Sequence, residues 1–323
     1  MTALAAGVDV GGTSVRASVV DPRGQVLDTE RVPTPGTSSA LNSAIAGCVG
    51  ALAERHPVEA VGLAVAGFVS EDRRVVRFAP HLAWRGAPVA DQIAERLDLP
   101  VVLEHDANAA GVAEQRFGAA VGARAAALVA IGTGIGGALV LGGEVYRGAH
   151  GVAPELGHLR LVPHGRACPC GKRGCWERYC SGTALANTAL ELLDEDPTAG
   201  GPLAERVGND RGSLTGTLVA AAADRGDPLA LRAVADLGWW LGEGLALVAD
   251  VYDPEVVVIS GGVSGSAHLF LEAARAHYAE VVTGAGHRPL ADVRLAHHGP
   301  EAGVVGAAAL AREHIATAEC ACP

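Results

Sequence analysis

The chain has 323 residues, 49% of them hydrophobic and 19% charged, so it is long and apolar enough to bury the cores of about two domains. Its formal net charge is −11, from 25 basic and 36 acidic residues, and this balance disfavours binding to a nucleic-acid backbone. No apolar run approaches the roughly 20 residues that span a bilayer, and Met1–Gly7 carries no basic segment typical of a signal peptide. We therefore expect a cytoplasmic protein without membrane contact.

The first predicted element is a strand that runs into a tight glycine turn. Apolar residues alternate before and after Gly11, Gly12 and Thr13, a pattern typical of strand, turn and strand. Glycine lets backbone N–H groups approach phosphate oxygens, the Thr13 hydroxyl adds a donor, and a carboxylate such as that of Asp9 can hold Mg²⁺. We interpret these four residues as a phosphate-binding turn with a magnesium ligand; an ordinary hairpin is the alternative.

A strand over residues 101–105 is predicted to run into a helix, with Asp106 at the junction. Aspartate is favoured at the cap of a helix, so a purely structural role is one interpretation. The other is a general base, a carboxylate placed to take a proton from a bound hydroxyl group. The two roles are compatible in one residue.

A second segment repeats the plan of the first turn. Strand-like residues 126–131 lead into a turn that contains Thr133 and Gly134, and strand-like residues 138–141 follow. Because two glycine-turned meanders lie roughly a domain apart, we expect two similar α/β halves that face each other across a cleft. The same glycines also satisfy G-x-G-x-x-G, but a dinucleotide site requires a helix directly after them, and residues 138–141 are strand-like instead.

Three cysteines and a histidine, separated by glycine and proline turns, lie close together in the next part of the chain: His158, Cys168, Cys170 and Cys175. They fit a tetrahedral zinc site, which we interpret as structural because protein atoms would fill all four positions. Cys180 is a spare thiol, and surface cysteines without metal are the alternative. We expect the metal to fix the loop that presents Glu155 and Glu177.

A third glycine turn, Gly261-Gly262, follows the β-branched run 255–260, which is typical of a central parallel strand. Ligands of open α/β sheets gather at the carboxyl ends of such strands. We therefore add Gly261 and Gly262 to the candidate binding residues.

The three turns resemble the two phosphate motifs and the adenosine motif of the sugar-kinase and actin superfamily, whose ribonuclease-H-like halves match the repeated plan. More specifically, Glu155-x-x-His158 and the stretch 168–177 resemble the signature of the ROK family of repressors, open reading frames and kinases. The resemblance covers nearly the whole chain and extends to residues 75–84, which look like those of actinobacterial glucokinases.

This resemblance implies an ATP-dependent sugar kinase that uses Mg²⁺ and carries a structural Zn²⁺, with Asp106 as the base for the 6-hydroxyl of the sugar. It also implies which residues line the sugar pocket: Gly67, His105, Asp106, Glu155, His158 and Glu177. His158 would place one ring nitrogen on zinc and the other toward the sugar. Thr133, Gly134, Gly261 and Gly262 would bind the nucleotide together with the first turn.

The chain departs from the family pattern at three positions, where His105 and His81 replace asparagines and Ala66 replaces a proline. A neutral imidazole offers one donor and one acceptor in a geometry that differs from that of an amide. It can accept a hydrogen bond from an ammonium group, and the family includes kinases for kanosamine (3-amino-3-deoxyglucose). The sequence thus favours kanosamine as the gluco-configured substrate, with ordinary glucokinase as the alternative.

Other functions fit less well. ROK transcriptional regulators carry a helix-turn-helix ahead of the first strand, whereas few residues precede Gly7 here, and a non-catalytic sensor would lack the base. Polyphosphate as donor is disfavoured by the acidic balance and by the single lysine, Lys172.

We expect a smaller N-terminal α/β domain of residues 1–118 with 300–323, and a larger α/β domain of residues 119–299 that carries the zinc loop. The expected partner is a hexose or amino-hexose, with no nucleic acid and no membrane. We also expect a homo-oligomer, either a dimer or a tetramer.

Overall fold

The computed structural model describes residues 3–196 and 201–320, and in these ranges the chain forms both strands and helices. The strands are β1 (Leu4–Val10), β2 (Ser14–Val20), β3 (Val26–Pro33), β4 (Val58–Val65), β5 (Phe68–Val69), β6 (Val76–Phe78), β7 (Arg85–Ala87), β8 (Val101–His105), β9 (Ala125–Ile131), β10 (Ile135–Leu141), β11 (Glu144–Val145), β12 (Val256–Ser260) and β13 (Asp292–Leu295). The helices are α1 (Ser38–Ala53), α2 (Val89–Leu97), α3 (Asp106–Phe117), α4 (Gly182–Glu195), α5 (Pro202–Asn209), α6 (Gly216–Ala223), α7 (Pro228–Tyr252), α8 (Leu271–Val281) and α9 (Ala302–Cys320). Short 3₁₀ segments lie at Leu156–His158, Trp176–Arg178, Arg211–Ser213, Gly262–Leu269 and Gly299–Glu301.

Two five-stranded sheets share one plan. The first has the order β3-β2-β1-β4-β8, with β1–β2 and β2–β3 antiparallel and β1–β4 and β4–β8 parallel. The second has the order β11-β10-β9-β12-β13, in which β10–β11 is antiparallel and β12–β13 parallel. The predicted α/β class and its repetition are therefore confirmed.

Contacts divide the chain into two compact units. Unit 1 comprises Met1–Leu128, Ala138–Pro154 and Ala296–Pro323, and unit 2 comprises Val129–Gly137 and Glu155–Leu295. Residues 138–154 thus cluster with unit 1, whereas the sequence assigned all of 119–299 to the second domain. The functional domain boundaries themselves stay a prediction.

Helix α9 packs closely against the first sheet of unit 1, and at two strand glycines its backbone approaches that of the sheet directly. A Cβ at Gly7 would overlap the carbonyl of Val304, and a Cβ at Gly62 would overlap that of Ala307. Glycine in the middle of a strand is otherwise unfavourable, so the close approach of another backbone explains both positions.

The parallel strands β1, β4 and β8 all end at one edge of this sheet. The turn that starts at Gly11 follows β1, Gly67 follows β4, and Asp106 follows β8. Because carboxyl ends of parallel strands collect ligands in α/β proteins, this edge is where unit 1 presents its candidate site.

In unit 2, Trp176 ties the cysteine-rich loop to α7. Its ring is fully buried, a Cβ at Gly244 would overlap it, and its indole N–H donates to the carbonyl of Trp240 at 2.9 Å. Burying a ring of this size anchors the loop firmly. No helix in the described ranges is long and apolar enough to cross a membrane.

Candidate active site

Asp106 is the first residue of α3, and its carboxylate is held without being buried. One oxygen accepts the N–H of Ala107 at 2.7 Å and lies 3.3 Å from Nε2 of His105, while 42% of the side chain is exposed. The cap position belongs to His105, and no side chain caps the helix. An oriented carboxylate with a free oxygen fits a general base.

In the first glycine turn, hydrogen bonds hold Gly11 in place, whereas the next two residues are exposed to solvent. The Gly11 N–H donates to the carbonyl of Ser14 at 3.1 Å, and the Thr34 hydroxyl donates to the carbonyl of Gly11 at 2.6 Å. Gly12 and Thr13 are exposed. A turn of this kind can offer N–H groups to phosphate oxygens, and the phosphate-binding role that the sequence indicates for it stays a prediction.

Asp9 lies beside this turn and pairs with Arg16 at 3.5 Å. Partial burial raises the pKa of Asp9, Arg16 opposes that rise, and the negative charge of Asp106 adds to it. The two carboxylates thus lie close enough within unit 1 to repel each other. The Asp9 carboxylate is a ligand of the kind that Mg²⁺ prefers, together with phosphate oxygens.

The second glycine turn, in unit 2, closes on itself and on α4. The Gly132 N–H donates to the carbonyl of Gly134 at 2.9 Å, and the Gly182 N–H donates to the carbonyl of Gly132 at 2.8 Å. A Cβ at Gly134 would overlap Oε2 of Glu177. The absence of a side chain at Gly134 therefore leaves the space that the Glu177 carboxylate occupies.

A cavity of about 800 Å³ opens beside this turn. Its lining includes Thr133, Gly262, Phe270 and the first residues of α4 and α6, which begin at Gly182 and Gly216. The volume is typical of a small-molecule site, and helix N-termini with their free N–H groups favour anions. Gly261 has φ +86°, a conformation that favours glycine, and directs the chain past the cavity.

Sequence reasoning missed the α4 and α6 walls of the cavity. The signal was present: Ser181 and Thr215 cap these helices by accepting the N–H of Ala184 and Leu218. Serine and threonine caps mark helix starts, but only the fold shows that both starts line one cavity.

The four predicted zinc ligands are brought together. Their ligand atoms all lie within 4.8 Å of one another, with 3.6 Å between the sulfurs of Cys170 and Cys175 and 3.8 Å between the Cys168 sulfur and Nδ1 of His158. A tetrahedron with Zn–S bonds near 2.3 Å has edges of about 3.8 Å, so the donor set and spacing fit zinc. Cys180 lies outside this group and is fully buried, which raises the pKa of its thiol.

The two ring nitrogens of His158 lie near different groups. Its Nδ1 points to the sulfurs, while its Nε2 lies 3.9 Å from Oε2 of Glu155. The other oxygen of Glu177, Oε1, lies 3.1 Å from the Cys168 sulfur. The cysteine cluster, Glu155, His158 and Glu177 therefore form one connected group in unit 2, as the sequence predicted for the loop.

The remaining predicted sugar residue, Gly67, is buried in unit 1. A Cβ there would lie 2.7 Å from Cβ of Ala79, so a larger residue would displace the neighbouring chain. Unit 1 thus carries Gly67, His105, Asp106 and the first turn. Unit 2 carries Glu155, Glu177, the candidate metal ligands and the cavity.

Comparisons with known proteins give a consistent result. The sequence model of the ROK family matches residues 5–314. The glucokinase of Streptomyces coelicolor is 41% identical over 310 residues, covering 96% of this chain and 98% of the relative.

Two solved structures are similar over nearly their whole length. A ROK family glucokinase from Streptomyces griseus, in complex with glucose and AMPPNP, has a TM-score of 0.84 at 42% identity and covers 96% of this chain and 99% of its own. A ROK hexokinase from Thermus thermophilus has a TM-score of 0.80 at 33% identity, covering 97% and 99%.

Proposed function

Since this chain belongs to the ROK family, we propose that it transfers the terminal phosphoryl group of ATP to the 6-hydroxyl of a gluco-configured hexose. It is an ATP-dependent sugar kinase, as its glucokinase relatives are kinases of glucose. The alternative of a sugar-responsive regulator is less well supported, because a glucokinase is 41% identical over 96% of the chain, whereas the xylose repressor of Bacillus subtilis is 30% identical over 67%.

The observation that carries this proposal is the setting of Asp106. Its carboxylate lies directly after the end of β8, keeps 42% exposure and is oriented by the N–H of Ala107. From this position it accepts the proton of the sugar hydroxyl. Phosphoryl transfer needs little further covalent chemistry, so the other residues position the reactants and neutralise charge.

The nucleotide occupies the cavity of unit 2 in this proposal. Thr133 and Gly134 contact its phosphates, and Gly261 and Gly262 contact its adenosine. The first turn, Gly11, Gly12 and Thr13, contacts the phosphoryl group that is transferred. Asp9 holds Mg²⁺, which neutralises phosphate charge when it is bound. His158 and the three cysteines hold a structural zinc ion, which fixes the loop that bears Glu155 and Glu177.

The choice of sugar depends on His105. Its Nε2 lies 3.3 Å from Oδ1 of Asp106. A tautomer with its hydrogen on Nε2, the nitrogen beside this carboxylate, would leave Nδ1 bare as an acceptor. A bare nitrogen suits the ammonium group of kanosamine, and such charge-assisted bonds are about twice as strong as neutral ones. We propose kanosamine as the preferred sugar; the glucokinase relatives support glucose as the competing assignment.

The test is an ADP-release screen over glucose, kanosamine, mannose and N-acetylmannosamine, followed by kcat/KM for the first two sugars. We expect the wild type to favour kanosamine, and His105→Asn to shift the ratio toward glucose. His56→Asn, a control far from β8 in sequence and paired with Asp28, should leave the ratio unchanged. A wild type that prefers glucose, or an unchanged ratio in His105→Asn, assigns the protein as an ordinary glucokinase.

A homo-oligomer, as dimer or tetramer, stays a prediction that light scattering of the purified protein would test.

A further inference from the structure

Glu104, one residue before His105, is a buried carboxylate with an unusual number of partners. Only 4% of its side chain is exposed. Oε1 accepts the backbone N–H of His105 and the Nδ2 of Asn108, both at 3.0 Å. Oε2 accepts from Arg147 through Nε at 2.9 Å and Nη2 at 2.6 Å. One side chain thus bridges the β8–α3 junction and a residue 43 positions away.

A second arginine joins the cluster from the turn between β5 and β6. Nε of Arg73 lies 3.5 Å from Oε2 of Glu104 and donates to the carbonyl of Leu103 at 3.0 Å. The Leu103 N–H in turn donates to the carbonyl of Arg73 at 3.0 Å. The turn that follows Gly67 and the strand β5 is thereby fastened to the end of β8.

Arg147 opens the segment that leads to Glu155. Within that segment, Gly151 adopts φ +75° and a Cβ there would lie 2.9 Å from the carbonyl of Val69, while His150 lies 3.5 Å from Glu71. Residues 147–154 therefore pack on the turn that carries Arg73. Glu104 lies where three segments of unit 1 meet.

The energetics favour a positional role for this cluster over a merely stabilising one. Burial raises the pKa of Glu104, but the two guanidinium groups more than offset this and hold its pKa below the usual value, so the carboxylate stays ionised. Buried ion pairs lose much of their attraction to desolvation, and apolar replacements are often as stable. Arg73 even keeps its Nη2 buried without a partner within the described part of the chain.

We propose that Glu104 is a positioning residue for phosphoryl transfer: it holds the β8–α3 junction, and with it the Asp106 carboxylate, in register with residues 147–154. The inference rests on the proposed function, because Asp106 is the base there. Glu104 itself contacts no reacting atom and acts through the His105 N–H and Arg147. A displacement of about 1 Å at a base costs on the order of 10²-fold in rate.

The test compares Glu104→Gln with Glu114→Gln. Glu114 is a matched control, because it is also a buried glutamate, lies in the last turns of α3 and accepts the N–H groups of Ala119, His297 and His298, away from the Asp106 end of the helix. We expect Glu104→Gln to lower kcat at least about tenfold, with the KM for ATP changed less than about twofold. Glu114→Gln should lower the unfolding temperature and leave kcat nearly unchanged.

A second series of variants separates the effect of Glu104 on the position of Asp106 from its effect on the stability of the fold. Glu104→Gln combined with Arg147→Met removes two of the three charges of the cluster and leaves only that of Arg73, so stability should recover in part while kcat stays low. Arg147→Lys should retain more activity than Arg147→Met. If kcat follows stability throughout, or if Glu104→Gln turns over normally in a protein whose wild type phosphorylates sugar, the role of Glu104 is overturned. A wild type that phosphorylates no sugar in the screen would overturn the proposed function instead.

Discussion

Glu104 and Asp106 are two residues apart and have opposite surroundings. Glu104 is buried between two guanidinium groups, whereas Asp106 is 42% exposed and has a single firm donor in the Ala107 N–H. The surroundings of a carboxylate set its pKa, so two neighbouring carboxylates can have different chemical roles. Here it leaves Asp106 free to exchange a proton with a substrate and commits Glu104 to a fixed ionic contact.

Asp106→Asn should lower turnover by roughly 10²–10⁴, the range typical of a general base. The amide oxygen of the variant can still accept the N–H of Ala107, so the fold and sugar binding should persist. Steady-state kinetics measure the turnover, and calorimetry measures sugar binding. Turnover close to that of the wild type would remove Asp106 from the mechanism.

The stability contributed by Glu104 should depend on pH. Its pKa is lower in the folded protein than the ordinary value of 4.5. A lowered pKa means that the contribution is present above the unfolded pKa and is lost as the pH falls through the folded pKa. The gap in unfolding free energy between wild type and Glu104→Gln should therefore be largest near neutral pH and shrink below pH 4.5. Urea unfolding across this range measures it; a gap that grows in acid would contradict the assignment.

At this scale the sequence predicted Asp106 but not the importance of Glu104. Asp106 lies at a strand–helix junction, which is visible locally in the chain. The partners of Glu104 include Arg147, 43 positions away, and only the fold brings the two together.

Among the elements, the cysteine-rich loop was the most predictable. Its four ligands lie between His158 and Cys175, so their spacing alone indicated a metal site. The cavity of unit 2 was less predictable, because its walls come from α4, α6 and the segment that begins at Gly262. Local chelation can be read from a short motif, whereas a cavity depends on tertiary packing.

The protein should contain about one zinc ion per chain, and Cys170→Ala should lose it. Sugar binding should weaken, although the cysteine does not contact the sugar, because Glu155, His158 and Glu177 lose their support. Elemental analysis and the KM for sugar report the two effects. Cys180→Ala, a buried thiol outside the cluster, should retain the metal. Metal-free protein with an unchanged KM would contradict the supporting role of the loop.

The second glycine turn offers a matched pair of substitutions. A Cβ at Gly134 would overlap the end of the Glu177 side chain, whereas a Cβ at Gly132 would meet nothing within 4 Å. Because Glu177 can swing aside, Gly134→Ala should cost little stability but lower kcat/KM about tenfold by misplacing the carboxylate. Gly132→Ala should remain close to wild type in both. Equal kinetics of the two variants would show that Glu177 need not rest on this turn.

At the scale of the whole molecule, repeated glycine turns predicted the repeated sheets, since each turn follows a strand at the same place in the plan. The path of the chain through the two units was harder to predict. Unit 1 is assembled from three separate stretches, and its last stretch carries α9. The close packing of α9 depends on strand glycines such as Gly7 and Gly62, which make room for a helix that begins only at Ala302.

A chain that ends at residue 295 should therefore fail to complete unit 1 while keeping the metal site. Without α9, one face of the first sheet exposes apolar side chains that pack against it, among them Val20 and Val102. Unfolding should lose cooperativity and sugar turnover should vanish, because Asp106 belongs to this unit. Zinc binding should persist, since all four ligands lie in Glu155–Leu295 of unit 2. A chain that ends at residue 317, keeping most of α9, is the control and should retain both activity and cooperative unfolding. Circular dichroism, elemental analysis and the kinase assay decide the outcome. A 1–295 chain that unfolds cooperatively at the midpoint of the full-length protein would show that unit 1 does not need its last helix.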